Sequence, residues 1–236
     1  MSIKAICLIG PTGSGKTSVA FSLARNVKGE VVNLDKIYTY KNFPISTGLS
    51  DSLKEKGVKR HLYQLLTPAK TIISPKKYAK MIRKVCIEIS QKGKVPIIEG
   101  GSTTYFPALY EENKKKIFIG HFVGLKFPKN IDLSAKIEKR VSIAIGEDLL
   151  KEIRMGIKKY PNSLIMKDCH FVVPMVRYLK GDISLKLAKK EVVERCLGYI
   201  KRQMKCFLQY KDIKWIEHNS SKPAVTINEI DKLLRG

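Results

Sequence analysis

Short apolar runs alternating with helical periodicity organise the first half of the chain. Ile6-Cys7-Leu8-Ile9 is too short for a helix and suits a strand covered on both faces. Ser18 to Val27 follows as a helix, and Val31 to Leu34 as a second strand ending at Asp35. Tyr78 to Gln91 sets Met81, Val85 and Ile89 on one helical face and stops at Gly93, a suitable C-cap. Val95 to Ile98 is a third strand that delivers Glu99, Gly100, Gly101 and Ser102 at its tip. A charged connector, Glu111 to Lys116, leads to a fourth strand from Ile117 to Leu125. Repeating strand–loop–helix units predict an α/β fold, a parallel sheet with helices on both faces. Ligands of such sheets bind beyond the carboxyl ends of the strands, where Thr12, Asp35 and Ser102 fall.

The second half reads as mainly helical. Leu133 to Ile145 and Leu149 to Lys159 are amphipathic, and Pro161-Asn162 ends the run. Ser184 to Phe207 reads as one long helix with Asp182 or Ser184 near its start, and Ser220 to Pro223 as a turn before a short final helix. Neither an internal repeat nor a low-complexity linker divides the chain. The expectation is one domain over 1–236, with an α/β core over 1–125 and a mainly helical part over 126–236.

Composition narrows the classes. A chain of 236 residues with 44% hydrophobic content supports one good core. Its apolar stretches fall well short of the ~20 residues that cross a bilayer, and Met1 to Gly10 is too short for a removable signal peptide. The five cysteines (7, 86, 169, 196, 206) form no C-x-x-C pair, which suits a reduced, cytoplasmic protein. The net charge of +24, from 45 Lys+Arg against 21 Asp+Glu, favours polyanions. A nucleic acid fits that field, and so does a lysine-rich chain with several phosphates to hold. Composition leaves both open.

The most informative segment is Gly10-Pro11-Thr12-Gly13-Ser14-Gly15-Lys16-Thr17, set between the first strand and the first helix. Gly13, Ser14 and Gly15 let backbone N–H groups turn inward around an anion, and the helix dipole adds to the field. Lys16 then reaches the terminal phosphates and the Thr17 hydroxyl holds Mg²⁺. This is a P-loop NTPase-like arrangement, and it does not tell ATP from another polyphosphate. Asp35, at the tip of the second strand, is placed to accept a proton from a nucleophile or to reach a metal through water. Glu99 either reaches that water shell or simply ends a strand.

Six separated segments resemble the isopentenyltransferase family, which prenylates the N6 amine of adenine. They are the loop just quoted, Asp35-Lys36-Ile37 with Tyr40-Lys41, and Arg60-His61-Leu62. The others are Pro96 to Tyr105 with its Glu-Gly-Gly-Ser core, Lys136 to Val141, and Tyr199-Ile200-Lys201-Arg202-Gln203. The resemblance implies that the loop binds the diphosphate of dimethylallyl diphosphate, with Mg²⁺ as cofactor. It implies that Asp35 orients the adenine amine and takes its proton, while Thr12 and Lys16 stabilise the leaving pyrophosphate. Arg140, Tyr199 and Arg202 match positions around the prenyl diphosphate, and Lys36, Ser102, Thr103, Lys136 and His170 fall to the nucleotide. Lys136 and Arg140 lie four apart, so a helix projects both from one face. Asp168 joins His170 where a Gly-Tyr-Arg/Lys segment is common in the family. Tyr38 replaces a usual glutamine. His61, His121 and His218 lack metal-ligand spacing and read as structural.

Two branches of the family share this scaffold, one acting on free adenine nucleotides in cytokinin synthesis and one on adenosine in tRNA. Asp35-Lys36, Gly101-Ser102-Thr103 and the short gap after Leu109 resemble the adenylate branch, which is the expectation carried forward. The +24 charge and the segment from Tyr199 to Phe207 with Trp215 resemble the tRNA branch, so tRNA is the alternative acceptor. A small-molecule kinase would put ATP on the loop and need an arginine-bearing lid, for which Val123 to Arg154 is the candidate. It gives the Gly-Gly-Ser motif no task. A non-catalytic RNA-binding module would not need the loop facing Asp35. Oligomeric state stays open.

Overall fold

The computed structural model describes residues 5–49, 55–219 and 223–235. Six parallel strands form one sheet in the order β3-β2-β4-β1-β5-β6. They are β1 (Ala5–Ile9), β2 (Glu30–Asn33), β3 (Arg60–His61), β4 (Pro96–Gly100), β5 (Ile119–Lys126) and β6 (Ile213–Glu217). The helices are α1 (Lys16–Asn26), α2 (Pro75–Gln91), α3 (Tyr105–Lys115), α4 (Leu133–Ala144) and α5 (Glu147–Lys159), then α6 (Leu164–Asp168), α7 (Val172–Leu179), α8 (Leu185–Phe207) and α9 (Pro223–Arg235). A 3-10 turn covers Ile37–Thr39.

Alternation along the buried strands splits the sheet's core in two. Cys7 and Ile9 face Tyr78, Ile82 and Phe106 of α2 and α3, while Ile6 and Leu8 face Val19, Phe21 and Leu23 of α1 and Ile230 of α9. A third core belongs to the helices: Ile137, Val141, Leu149, Ile153, Val172 and Val192 pack together with Tyr40 and Phe43. Register aligns the strand tips. Leu8 pairs Glu99 and Asn33 pairs Glu99, so the phosphate loop, the Asp35 turn and the Gly100–Thr103 turn emerge side by side.

The expected parallel sheet with flanking helices is present. Several boundaries differ for physical reasons. Glu111 to Lys116 is no connector: up to Lys115 it is the second half of α3, whose inner face buries Phe106, Leu109, Tyr110 and Asn113 and leaves the charges outside. A one-sided charged stretch carries the same composition as a loop. The fourth strand begins at Ile119, with Ile117 exposed, and α1 begins at Lys16. On α2, Met81 and Val85 are only partly buried, and Ile82, Cys86 and Ile89 face the core. Ser184 caps α8 by accepting the Leu187 N–H, as its position promised. The segment over 126–236 is not wholly apart from the sheet, because β6 pairs with β5. Residues 1–4 of the Met1 to Gly10 segment, and residues 220–222 of the expected final turn, lie outside the described residues. The five cysteines are free thiols, and no described helix is long and apolar enough to cross a membrane.

Candidate active site

A cavity of about 500 Å³ opens over the carboxyl ends of β1, β2 and β4, walled on the other side by α4, the α6–α7 junction and α8. Every site residue expected from sequence lines it except Ser14 and Lys136. Ser14 turns its hydroxyl inward, where it is buried without a hydrogen-bond partner. Lys136 does project from α4 one turn before Arg140, but its ammonium sits 5.2 Å from the Phe127 ring centroid, over the ring and away from the cavity. A long flexible side chain on an apolar surface gains more from covering a ring than from crowding a second cation.

One end of the cavity is built for an anion. Gly13 and Gly15 hold φ of 80° and 83°, the left-handed region that glycine takes without a Cβ clash, and Gly15 opens α1. No acidic residue stands in the first turn of α1, so its dipole is uncompensated there. Lys16 Nζ donates to the Pro11 carbonyl at 2.8 Å. Burial pushes the ammonium down to about 8 against the pull of Glu99 and Asp35. Arg140 stands opposite: its guanidinium nitrogens lie 3.7 and 3.0 Å from where a Cβ would sit on Gly13 and Gly48.

Two carboxylates, the buried Glu99 and the half-buried Asp35, face that cationic end. Asp35 Oδ1 accepts the Ile37 N–H at 2.9 Å, and Asn33 holds the turn by accepting the Asp35 N–H at 2.7 Å and donating to its carbonyl at 3.0 Å. Burial raises the Asp35 carboxyl above its ordinary range, with Lys16 and Lys36 opposing. Glu99 accepts the Tyr63 hydroxyl at 3.0 Å and the Thr17 hydroxyl at 3.4 Å, and burial raises it also. The strand-end reading of Glu99 is therefore true of the backbone, while its side chain stands beside Thr17. Thr17 and Glu99 together offer the hard oxygen donors that Mg²⁺ takes.

The other end mixes signs. Lys36 bridges to Asp168 at 3.4 Å. His170 lies 4.7 Å from the Tyr199 ring, between centroids, with Nδ1 buried and unpartnered. Burial pushes its imidazole down to about 4, with Arg195, Arg202 and Lys36 adding to the shift, so it is neutral at pH 7. Arg202 stacks over Tyr199 at 5.6 Å, and the Tyr199 hydroxyl donates to the Gly101 carbonyl at 3.3 Å. Ser102 Oγ accepts the Tyr105 N–H at 3.1 Å, so this cavity residue also starts α3. His61 pairs with Glu30 at 2.6 Å and His218 Nδ1 with the Thr226 hydroxyl at 2.8 Å; neither these nor His121 lines the cavity.

Sequence reasoning missed four contributors. Ser46, Thr47 and Gly48 wall the cavity beside Arg140, held by Glu152, which accepts the Ser46 N–H at 2.8 Å; nothing local in the sequence announces this. Gln203 lines the cavity too, and it did leave a signal: it is a polar residue on the buried stripe Cys196, Ile200, Phe207 of α8.

The chain belongs to the isopentenyl transferase family, whose profile matches residues 1–168. It is 24% identical over 293 positions to a tRNA dimethylallyltransferase of Caldanaerobacter subterraneus, covering 91% of this chain and 92% of that one. It is 25% identical over 235 positions to the mitochondrial adenylate isopentenyltransferase 7 of Arabidopsis thaliana, covering 97% and 70%. In fold it matches the crystal structure of a tRNA isopentenylpyrophosphate transferase from Staphylococcus epidermidis with a TM-score of 0.86, at 20% identity and 99% coverage of both chains.

Proposed function

We propose that this protein transfers a dimethylallyl group from dimethylallyl diphosphate to the N6 amine of adenine, with adenosine in tRNA as the acceptor. The observation that carries the chemistry is one cavity with a phosphate loop, Lys16 and Arg140 at one end and the Asp35 carboxylate across from them. The adenine amine attacks the allylic carbon, and the C–O bond to the diphosphate breaks with its electron pair on oxygen. Asp35 receives the amine proton as the C–N bond forms, and its raised affinity for a proton suits that task. Lys16, Arg140 and the loop N–H groups face the charge that develops on the pyrophosphate, and Thr12 stands at the same end. Mg²⁺ held by Thr17 and Glu99 would add positive charge there.

The tRNA acceptor is supported by the bacterial relative of that name, aligned over 91% of the chain, and by a net charge of +24. Free adenine nucleotide is the second reading, favoured by one specific observation. The alignment with the bacterial tRNA enzyme runs to 293 positions, more than the 236 residues of this chain, whereas that with the plant adenylate enzyme runs to 235. The tRNA relative thus carries residues that have no counterpart here. A prenyl-transfer assay with Mg²⁺ and dimethylallyl diphosphate, offering AMP, ADP, ATP and unmodified tRNA separately, separates the two. Product on tRNA alone is the expected result, product on a nucleotide alone selects the second reading, and no product anywhere overturns both.

A further inference from the structure

The inner face of α8 is apolar along Ala188, Val192, Cys196, Ile200 and Phe207, and Gln203 interrupts it at 1% exposure. A buried primary amide needs partners at both ends. Gln203 finds them in two different turns: Oε1 accepts the Thr12 N–H at 2.9 Å, and Nε2 donates to the Gly101 carbonyl at 2.7 Å. Thr12 belongs to the phosphate loop, and Gly101 opens the turn that carries Ser102 and Thr103. These turns already touch. A Cβ on Gly101 would stand 3.0 Å from the Gly10 carbonyl and 2.4 Å from Gln203 Nε2, so glycine is required for the amide to reach the seam. Tyr199, one turn earlier on α8, donates to the same carbonyl, which uses both of its lone pairs.

The Thr12 N–H therefore points at α8, and the Ser14 N–H donates to the Pro11 carbonyl at 3.2 Å, so neither is turned toward an anion. Fixing that peptide fixes the direction in which the Thr12 side chain leaves the backbone. We propose that Gln203 is a positioning residue of this site, locking the donor loop to the acceptor turn through the Thr12 N–H and the Gly101 carbonyl. This rests on the prenyl-transfer reading above. The lock demands a neutral group that accepts and donates at once. Methionine donates nothing and its thioether accepts only weakly, and an ionised glutamate would set a carboxylate against the Gly101 oxygen.

The test compares wild type, Gln203→Met and Gln203→Glu by steady-state prenyl transfer, by calorimetry with Mg²⁺ and inorganic pyrophosphate, and by hydrogen exchange at the Thr12 amide. For Gln203→Met we expect kcat to fall ~30-fold or more with KM for dimethylallyl diphosphate and pyrophosphate affinity held within ~3-fold, since alignment is lost and donor binding is kept. Its Thr12 amide exchanges faster than in wild type. Gln203→Glu is impaired at pH 8 and recovers relative to wild type towards pH 5.5, because a protonated carboxyl can donate to Gly101; Gln203→Met shows no such recovery. Wild-type kcat in Gln203→Met, or unchanged Thr12 exchange, overturns the proposal. If wild type itself transfers to no acceptor, the proposed function fails, while Thr12 exchange still reports whether the lock exists.

Discussion

In the proposed reaction the donor end of the cavity takes its backbone from eight consecutive residues, Gly10 to Thr17, and the acceptor end gathers side chains from segments as far apart as Lys36 and His170. The first is a cradle of N–H groups whose shape follows from two glycines at positive φ and the helix they open. Such a cradle does not tell one polyphosphate from another. The second depends on how the helical core docks onto the sheet, because Asp168 and His170 reach the cavity only through the α6–α7 junction. Charge follows the same division. The donor end holds the cations Lys16 and Arg140, whereas the acceptor end balances Lys36 with Asp168 and keeps His170 neutral. In the proposed reaction, diphosphate binding falls to the first end and the choice of acceptor to the second.

Substitutions at the two ends should separate accordingly. Asp35→Asn keeps the turn's shape but cannot take a proton, and kcat should fall ~10³-fold or more with pyrophosphate affinity unchanged by calorimetry. Loss of affinity instead would move Asp35 to the donor end. Lys16→Ala should cost ~10²–10³-fold in kcat and also weaken pyrophosphate binding, the joint loss that marks the donor end. Wild-type affinity for pyrophosphate should drop as pH rises past about 8, because the Lys16 ammonium, lowered by burial, then loses its proton; Lys16→Ala should lack that dependence. On the acid side, turnover should decline at a pH above the ordinary aspartate range of ~4, since Asp35 is raised and acts only when ionised. An acid limb below pH 4 would contradict the burial of that carboxylate. The smallest effect belongs to Lys136→Ala, expected to change kcat and KM by less than ~3-fold because the ammonium covers Phe127 outside the cavity. A tenfold rise in KM would return Lys136 to the substrate.

The donor end was legible because its information is local. A strand, an eight-residue loop and a helix follow one another, and the φ of Gly13 and Gly15 is a property of glycine. The sheet was legible for the same reason, as β1 is an uninterrupted apolar run and β2 and β4 are built on Val31-Val32 and Pro96 to Ile98, all buried on both faces. Arg60–His61 and Ile213–Glu217 were not, since one is two residues long and the other is an edge strand with Lys214 and Glu217 exposed. The helical face of Lys136 and Arg140 was anticipated. Which of the two side chains would enter the cavity was decided by Phe127, a residue of the preceding loop.

Taken by itself, the sequence determined the phosphate loop, the carboxylate at the tip of the second strand and the family resemblance carried by six motifs. Backbone conformation at glycines and the period of apolar residues are encoded within a few neighbouring positions. Only the tertiary structure decided that Gln203 joins the two turns, that Ser46 to Gly48 wall the cavity beside Arg140, and that Lys136 stays outside it. Those outcomes depend on contacts between residues as much as 191 positions apart, and such contacts exist only once the helical core has packed against the sheet.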